Sequence, residues 1–194
     1  MIRAFVRDRT GATAAEFALV LPLLLIFLLG IVDVGRWLWV YNEAQKATQM
    51  GARLAVVGNP VSDSINADYI GRCFPPLTQG DKIPVDCFPT VTCTSAGCDN
   101  GTKDNAAFNE IVARMRAFLP TLTAENVTVK YSPSGLGYAG NPFGADISPL
   151  VTVEIGKPNA LQFVPVTFLL LSSMDMPEFT TTLTAEDLRG ADSN

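Results

Sequence analysis

The apolar residues of this chain are concentrated near its N-terminus. Residues 17–32 read FALVLPLLLIFLLGIV and carry no charge, and with the small residues from Ala12 onward the run has 21 residues. A helix needs about 20 such residues to cross roughly 30 Å of bilayer hydrocarbon. A globular core helix is the alternative, but it would have a polar face, which residues 17–32 lack. The pattern predicts a transmembrane helix over residues 12–41.

The flanks of the apolar run predict its orientation. Residues 1–11 hold three arginines and one aspartate, and this positive excess favours the cytoplasmic side. Aromatic residues follow the run, and their rings favour the lipid headgroups at the far face: Trp37, Trp39 and Tyr41. No A-x-A cleavage site of a secretory signal follows the run, so the helix is expected to be retained. The rest of the chain is then exported.

The helix is predicted to continue outside the membrane through residues 42–58. Small residues recur there on one helical face, where they allow another backbone to approach closely: Ala44, Ala47, Gly51 and Ala55. This face packs on the chain's own exported domain, which we favour, on a neighbouring subunit, or on both. At the membrane boundary, Asp33 and Arg36 are spaced to pair on one helical face, although two separately solvated charges are equally compatible with the spacing.

The four cysteines all fall in residues 59–105, a segment rich in turn-forming residues. It contains no C-x-x-C pair and the chain has no histidine, so zinc is a poor fit and no metal is expected. In an exported segment an even number of cysteines predicts disulfides. Three pairings are open; we favour Cys73 with Cys87 and Cys93 with Cys98. An acidic stretch from Asp99 to Glu110 lacks the ligand spacing of a calcium-binding EF-hand.

Residues 106–194 alternate between one helical and several strand patterns. An amphipathic helix is predicted over residues 106–120, ending at Pro120, and antiparallel strands are predicted over residues 126–132, 149–156 and 179–190. The apolar segment 161–173 is too short to span a bilayer; burial in the core is slightly favoured over contact with a membrane or partner. The predicted fold class is α+β: a long N-terminal helix, a second helix and a small antiparallel sheet.

A distinctive pattern precedes the apolar run. In GATAAEF, a cut after Gly11 would make Ala12 the first residue of the mature chain and Glu16 the fifth, followed by Phe17. This arrangement is the pattern of type IV prepilins. A glutamate placed at a helix start by the helix dipole is the structural alternative.

Residues 11–58 resemble more closely the TadE-like pseudopilins of tight-adherence (Flp) pilus systems. The resemblance rests on a glycine, a glutamate-phenylalanine pair, a leucine-rich run with a proline, and an acidic residue before glycine-arginine: Gly11, Glu16, Phe17, Pro22, Asp33 and Gly35. The closing LTAEDLRG is also similar to that family, except that Glu186 and Asp187 stand where small or apolar residues are usual.

The resemblance implies a minor pilin whose leader, residues 1–11, is removed by a prepilin peptidase. It implies a place in the bacterial inner membrane with a cytoplasmic N-terminus and a periplasmic domain. The expected partners are that membrane, the peptidase, other pilins or pseudopilins, and the pilus assembly platform. In the mature protein Glu16 would meet the N-terminal amine of a neighbouring subunit.

Other classes of function are less well supported. The absence of histidine removes the commonest general base, so we expect no enzyme and no cofactor. The net charge of −5 and the lack of a basic patch argue against nucleic acid. Two alternatives stay open: an uncleaved, membrane-anchored scaffold of the pilus or secretion apparatus, and a tip-displayed adhesin that uses the cysteine segment and the loop around Tyr138.

Overall fold

The computed structural model describes residues 10–142, 145–166 and 173–185. Two compact units are present: Met1–Trp39 with Phe163–Met174, and Val40–Gln162 with Asp175–Asn194. The helices are α1 (Thr10–Val57) and α2 (Asn105–Arg116), and the strands are β1 (Val91–Cys93), β2 (Val127–Ser132), β3 (Leu150–Ile155), β4 (Gln162–Phe163), β5 (Met174–Asp175) and β6 (Phe179–Thr184).

Both predicted helices are present. α1 continues through Pro22 as one element and ends directly before Gly58, whose N–H donates to the carbonyl of Leu54 at 2.8 Å. α2 begins after Asp104, whose carboxylate accepts the N–H groups of Ala106 and Ala107 at 2.8 and 3.2 Å. This side chain satisfies donors that the first turn of a helix leaves unpaired.

The main sheet is antiparallel, in the order β1-β2-β3-β6. Its central strands have the alternation seen in the sequence, with Val129 opposite Val153 and Val153 opposite Thr181. The α+β prediction is confirmed. β1 was not predicted, because it lies inside residues 59–105, which the sequence predicted to be irregular. Three residues are too few to show an alternating pattern, so pairing with β2 decides this strand.

The core of the second unit forms where α1 and α2 meet the sheet. A Cβ placed on Gly51 would lie 2.7 Å from Sδ of Met115 on α2 and 3.3 Å from Cγ1 of Val153 on β3. Further along α1, the ring of Tyr41 packs edge-on against Phe179 of β6, with 5.0 Å between centroids. The C-terminal part of α1 therefore belongs to the core of the second unit.

The apolar segment predicted over residues 161–173 is only partly described. Leu161, Phe163 and Pro165 are buried, whereas Val164 and Val166 are exposed. Buried and exposed residues therefore alternate over residues 161–166, and the expectation of a fully buried segment is wrong for the exposed ones. Residues 167–172 lie outside the described part of the chain, as do the tail from residue 186, with Glu186 and Asp187, and the first nine residues of the predicted leader.

A buried carboxylate joins two loops of the second unit. The N–H groups of Tyr69, Gly140 and Asn141 donate to Asp146 at 2.8, 3.0 and 2.8 Å. Burial alone would raise the pKa of Asp146, but these backbone donors together hold that pKa below its ordinary value of 3.8.

We expect Asp146→Asn to lower the free energy of unfolding by about 2 kcal/mol at neutral pH, because an amide cannot satisfy three donors as a carboxylate does. A depressed folded-state pKa gives stability that is present above the unfolded-state pKa and lost as pH falls through the folded-state value. The difference between wild type and variant should therefore shrink below pH 3.8.

Urea unfolding of the detergent-solubilised chain, followed by circular dichroism across this pH range, measures the Asp146 effect. Asp86→Asn is the control, because Asp86 is exposed. Equal stability of the Asp146 and Asp86 variants at neutral pH would contradict the prediction.

Candidate membrane-anchoring and processing site

The N-terminal part of α1 presents an apolar surface. Among the described residues, one helix is long and apolar enough to cross a membrane, and almost none of its most apolar stretch is buried. The exposed large side chains surround the helix rather than forming one stripe, because successive residues such as Leu23, Leu24 and Leu25 are all exposed although they point in different directions. A helix that is apolar all round needs an apolar environment.

The predicted processing residues lie in the first two turns of α1. Gly11 and Ala12 follow Thr10, where the described helix begins, and Glu16 and Phe17 come one turn later. The side chains of Glu16 and Phe17 are both exposed. The Glu16 carboxylate therefore lies on the surface of an apolar helix, where a partner would offset the cost of its charge in lipid.

At the other end of the apolar run, Asp33 is buried, with 7% of the residue exposed. Its Oδ1 accepts the backbone N–H of Val166 at 2.7 Å and pairs with Nη1 of Arg36 at 3.1 Å. Arg36 also donates to the carbonyl of Val164 at 3.5 Å, and its guanidinium lies 5.4 Å from the ring centroid of Phe163. We call this arrangement the Asp33 clasp.

The sequence predicted only one of the contacts in the Asp33 clasp. The spacing of Asp33 and Arg36 allowed an ion pair, and the structure contains it. The contact with Val166, 133 residues away, had no sequence signal. An acidic residue at the end of an apolar run is costly unless it has a partner, and this was the one available hint.

An apolar groove adjoins the clasp within the same unit. One wall is formed by residues of α1, and the other by the end of β4, the residues that follow it, and β5. The lining residues are Gly30, Asp33, Val34, Trp37, Phe163, Pro165 and Met174. Its volume is about 400 Å³. Aside from the Asp33 carboxylate, the lining side chains are apolar.

The small residues in the C-terminal part of α1 lie inside the second unit. The side chains of Ala44, Ala47 and Ala55 are fully buried, and Gly51 is buried against α2 and β3. The sequence left open whether this small-residue face packs on the chain's own domain or on a neighbouring subunit. In the structure it packs on the chain's own domain.

The cysteines are paired Cys73 with Cys87 and Cys93 with Cys98. Disulfides persist in oxidising compartments, so this pairing fits an exported domain. The loop closed by Cys73 and Cys87 contacts the loop around Tyr138, because the N–H of Ile83 donates to the carbonyl of Gly137 at 3.1 Å. Tyr138 is exposed on this surface, while Phe143 of the same loop lies outside the described residues.

These features define an α+β protein with a candidate transmembrane helix at its N-terminus and two disulfides in the rest of the chain. Residues 11–53, less than half of the chain, match the family model of the TadE-like proteins, so this N-terminal part is similar to that family. That family is associated with the Tad pilus. No curated protein and no solved structure matches the chain significantly.

Proposed function

We propose that this chain is a minor pilin or pseudopilin of a Flp/Tad-type pilus. A prepilin peptidase cuts it after Gly11, and the mature protein then takes part in pilus assembly and surface adhesion. The observation that carries the proposal is the position of the family match, which begins at Gly11 itself. The residue expected to end the leader is thus the residue at which the chain becomes TadE-like.

The surface of α1 supports an assembly role. Its exposed apolar residues suit the bilayer before assembly and the helices of neighbouring subunits afterwards, because both surroundings are apolar. Cleavage creates a cationic amine at Ala12, and the exposed Glu16 carboxylate offers a charge partner to such an amine on a neighbouring subunit. The pair would set the register between subunits.

The location follows from the same features. The helix is held in the bacterial inner membrane with its N-terminus in the cytoplasm, where the arginine-rich leader meets the peptidase. The second unit is then periplasmic, and its two disulfides are compatible with that compartment. The pilus assembly platform and other pilins are the proposed partners.

Intact mass and N-terminal sequencing of the membrane-extracted protein test the proposal, in cells with and without the cognate prepilin peptidase. We expect a chain that begins at Ala12 only where the peptidase is present. A chain that begins at Met1 in both strains would overturn processing and leave an uncleaved membrane-anchored scaffold.

A further inference from the structure

The Asp33 clasp lies where the membrane span is expected to end. The apolar run with its small N-terminal flank covers residues 12–32, which at 1.5 Å per residue extend about 30 Å, the thickness of the hydrocarbon core. Asp33 follows directly, and Trp37 and Trp39 come one to two turns later at the level expected for interfacial aromatics. Residues 163–166, held by the clasp, therefore lie at the outer boundary of the hydrocarbon.

This short segment, residues 163–166, presents apolar side chains outward at that depth. Val164 and Val166 are 59% and 49% exposed, whereas Phe163 and Pro165 face inward. In water such exposure would be unfavourable, but among acyl chains it is not. The segment thus has one face on α1 and one apolar face away from it.

Several backbone polar groups of the segment already have partners. Asp33 accepts the N–H of Val166, Arg36 donates to the carbonyl of Val164, and Pro165 has no N–H to satisfy. An unpaired backbone N–H or C=O group is costly in lipid. Non-helical backbone at the depth of the membrane therefore needs hydrogen-bond partners for these groups. The clasp supplies them.

We infer that residues 163–166 form a second membrane contact of this protein, with Val164 and Val166 seated among the lipid acyl chains of the outer leaflet. The Asp33 clasp makes this contact possible by pairing the backbone at that depth. The occupant of the exposed face is lipid rather than another protein, because the face is continuous with the lipid-exposed surface of α1 and lies at the same depth as its end. The inference requires membrane anchoring but not cleavage after Gly11.

Tryptophan fluorescence in vesicles made with brominated lipids tests this inference. The native Trp37 and Trp39 are first replaced by phenylalanine in the full chain, and a single tryptophan is then introduced as Val164→Trp or, separately, Val166→Trp. Lipids brominated near the headgroup end of the acyl chains quench only tryptophans that contact them.

Two valines of similar exposure provide matched controls. Val32→Trp, at a position 53% exposed on α1, reports a lipid-facing site, and Val85→Trp, also 53% exposed, reports a position in the second unit. We expect Val164→Trp and Val166→Trp to be quenched to within about twofold of Val32→Trp, as for a group buried 5–10 Å into the interface, and Val85→Trp to be unquenched. Adding Asp33→Ala to Val164→Trp should reduce the quenching.

Three results would overturn the inference. One is quenching of Val164→Trp and Val166→Trp no stronger than that of Val85→Trp. Another is blue-shifted emission from both variants without quenching, which would place protein over the face, including a second copy of this chain. The third is an unquenched Val32→Trp, which would remove the membrane position on which the inference depends. Circular dichroism of each variant confirms that the helices are retained.

Discussion

A chain with Glu16→Ala is expected to be cut after Gly11 like the wild type but to enter pili with about 10- to 100-fold lower efficiency. A charge-assisted hydrogen bond is worth about 1.5 to 3 kcal/mol, and each 1.4 kcal/mol changes an association constant tenfold. Removing the carboxylate makes α1 more apolar, so poor membrane insertion would not explain the loss. This prediction rests on the proposed pairing of Glu16 with the amine of Ala12.

Quantitative immunoblotting of sheared surface pili, normalised to membrane-bound mature protein, measures the effect of Glu16→Ala. Glu110→Ala is the matched control, because Glu110 is an exposed glutamate on α2 and the change of residue is the same. Wild-type incorporation of the Glu16→Ala chain would exclude the carboxylate as a partner in assembly. A failure of cleavage in that chain would instead assign Glu16 to recognition by the peptidase.

Replacing Gly51 with leucine is expected to lower the free energy of unfolding of the second unit by about 3 kcal/mol. Even a Cβ at this position would lie 2.7 Å from Sδ and 2.8 Å from Cγ of Met115, a fully buried side chain, and 3.3 Å from Cγ1 of Val153. A leucine adds three further carbons where the core is already closed, so α1, α2 and β3 would have to separate.

Thermal unfolding of the detergent-solubilised protein should show a fall in Tm of about 6 to 12 °C for Gly51→Leu, given the size of the chain. Gly35→Leu is the control on the same helix, because a Cβ there would have no described heavy atom within 4 Å. An unchanged Tm for Gly51→Leu would show that the contact between α1 and α2 is not close in solution.

The elements of the fold could be predicted where their signal is local. The uncharged run of residues 17–32, the alternation in β2 and β3, and Asp104 before α2 are each read from residues that are near neighbours in the chain. Helix and strand periods follow from backbone geometry, so a stretch of one element is enough to reveal them. β1 escaped prediction because its three residues depend on β2 for hydrogen bonds.

In the candidate site, too, the features with a local signal could be predicted and the contacts between distant segments could not. Gly11, Ala12, Glu16 and Phe17 could be proposed from the sequence because their spacing in the chain is itself the signal, and the family match begins at the first of them. The Asp33 clasp was not found, because the partner of Asp33 is the backbone of Val166, and a backbone N–H is the same in almost every residue. Asp146 was missed for the same reason, since its three donors are backbone groups.

By itself, the sequence determined that this protein has an N-terminal helix suited to a membrane, a pattern at Gly11 that resembles a prepilin start, and a domain of α+β composition, because composition and short spacings express these properties. Only the tertiary structure decided that the small face of α1 packs on its own domain and that residues 163–166 lie against Asp33 and Arg36. Both depend on which distant segments meet, and that choice is made by burial and hydrogen bonding summed over the folded chain.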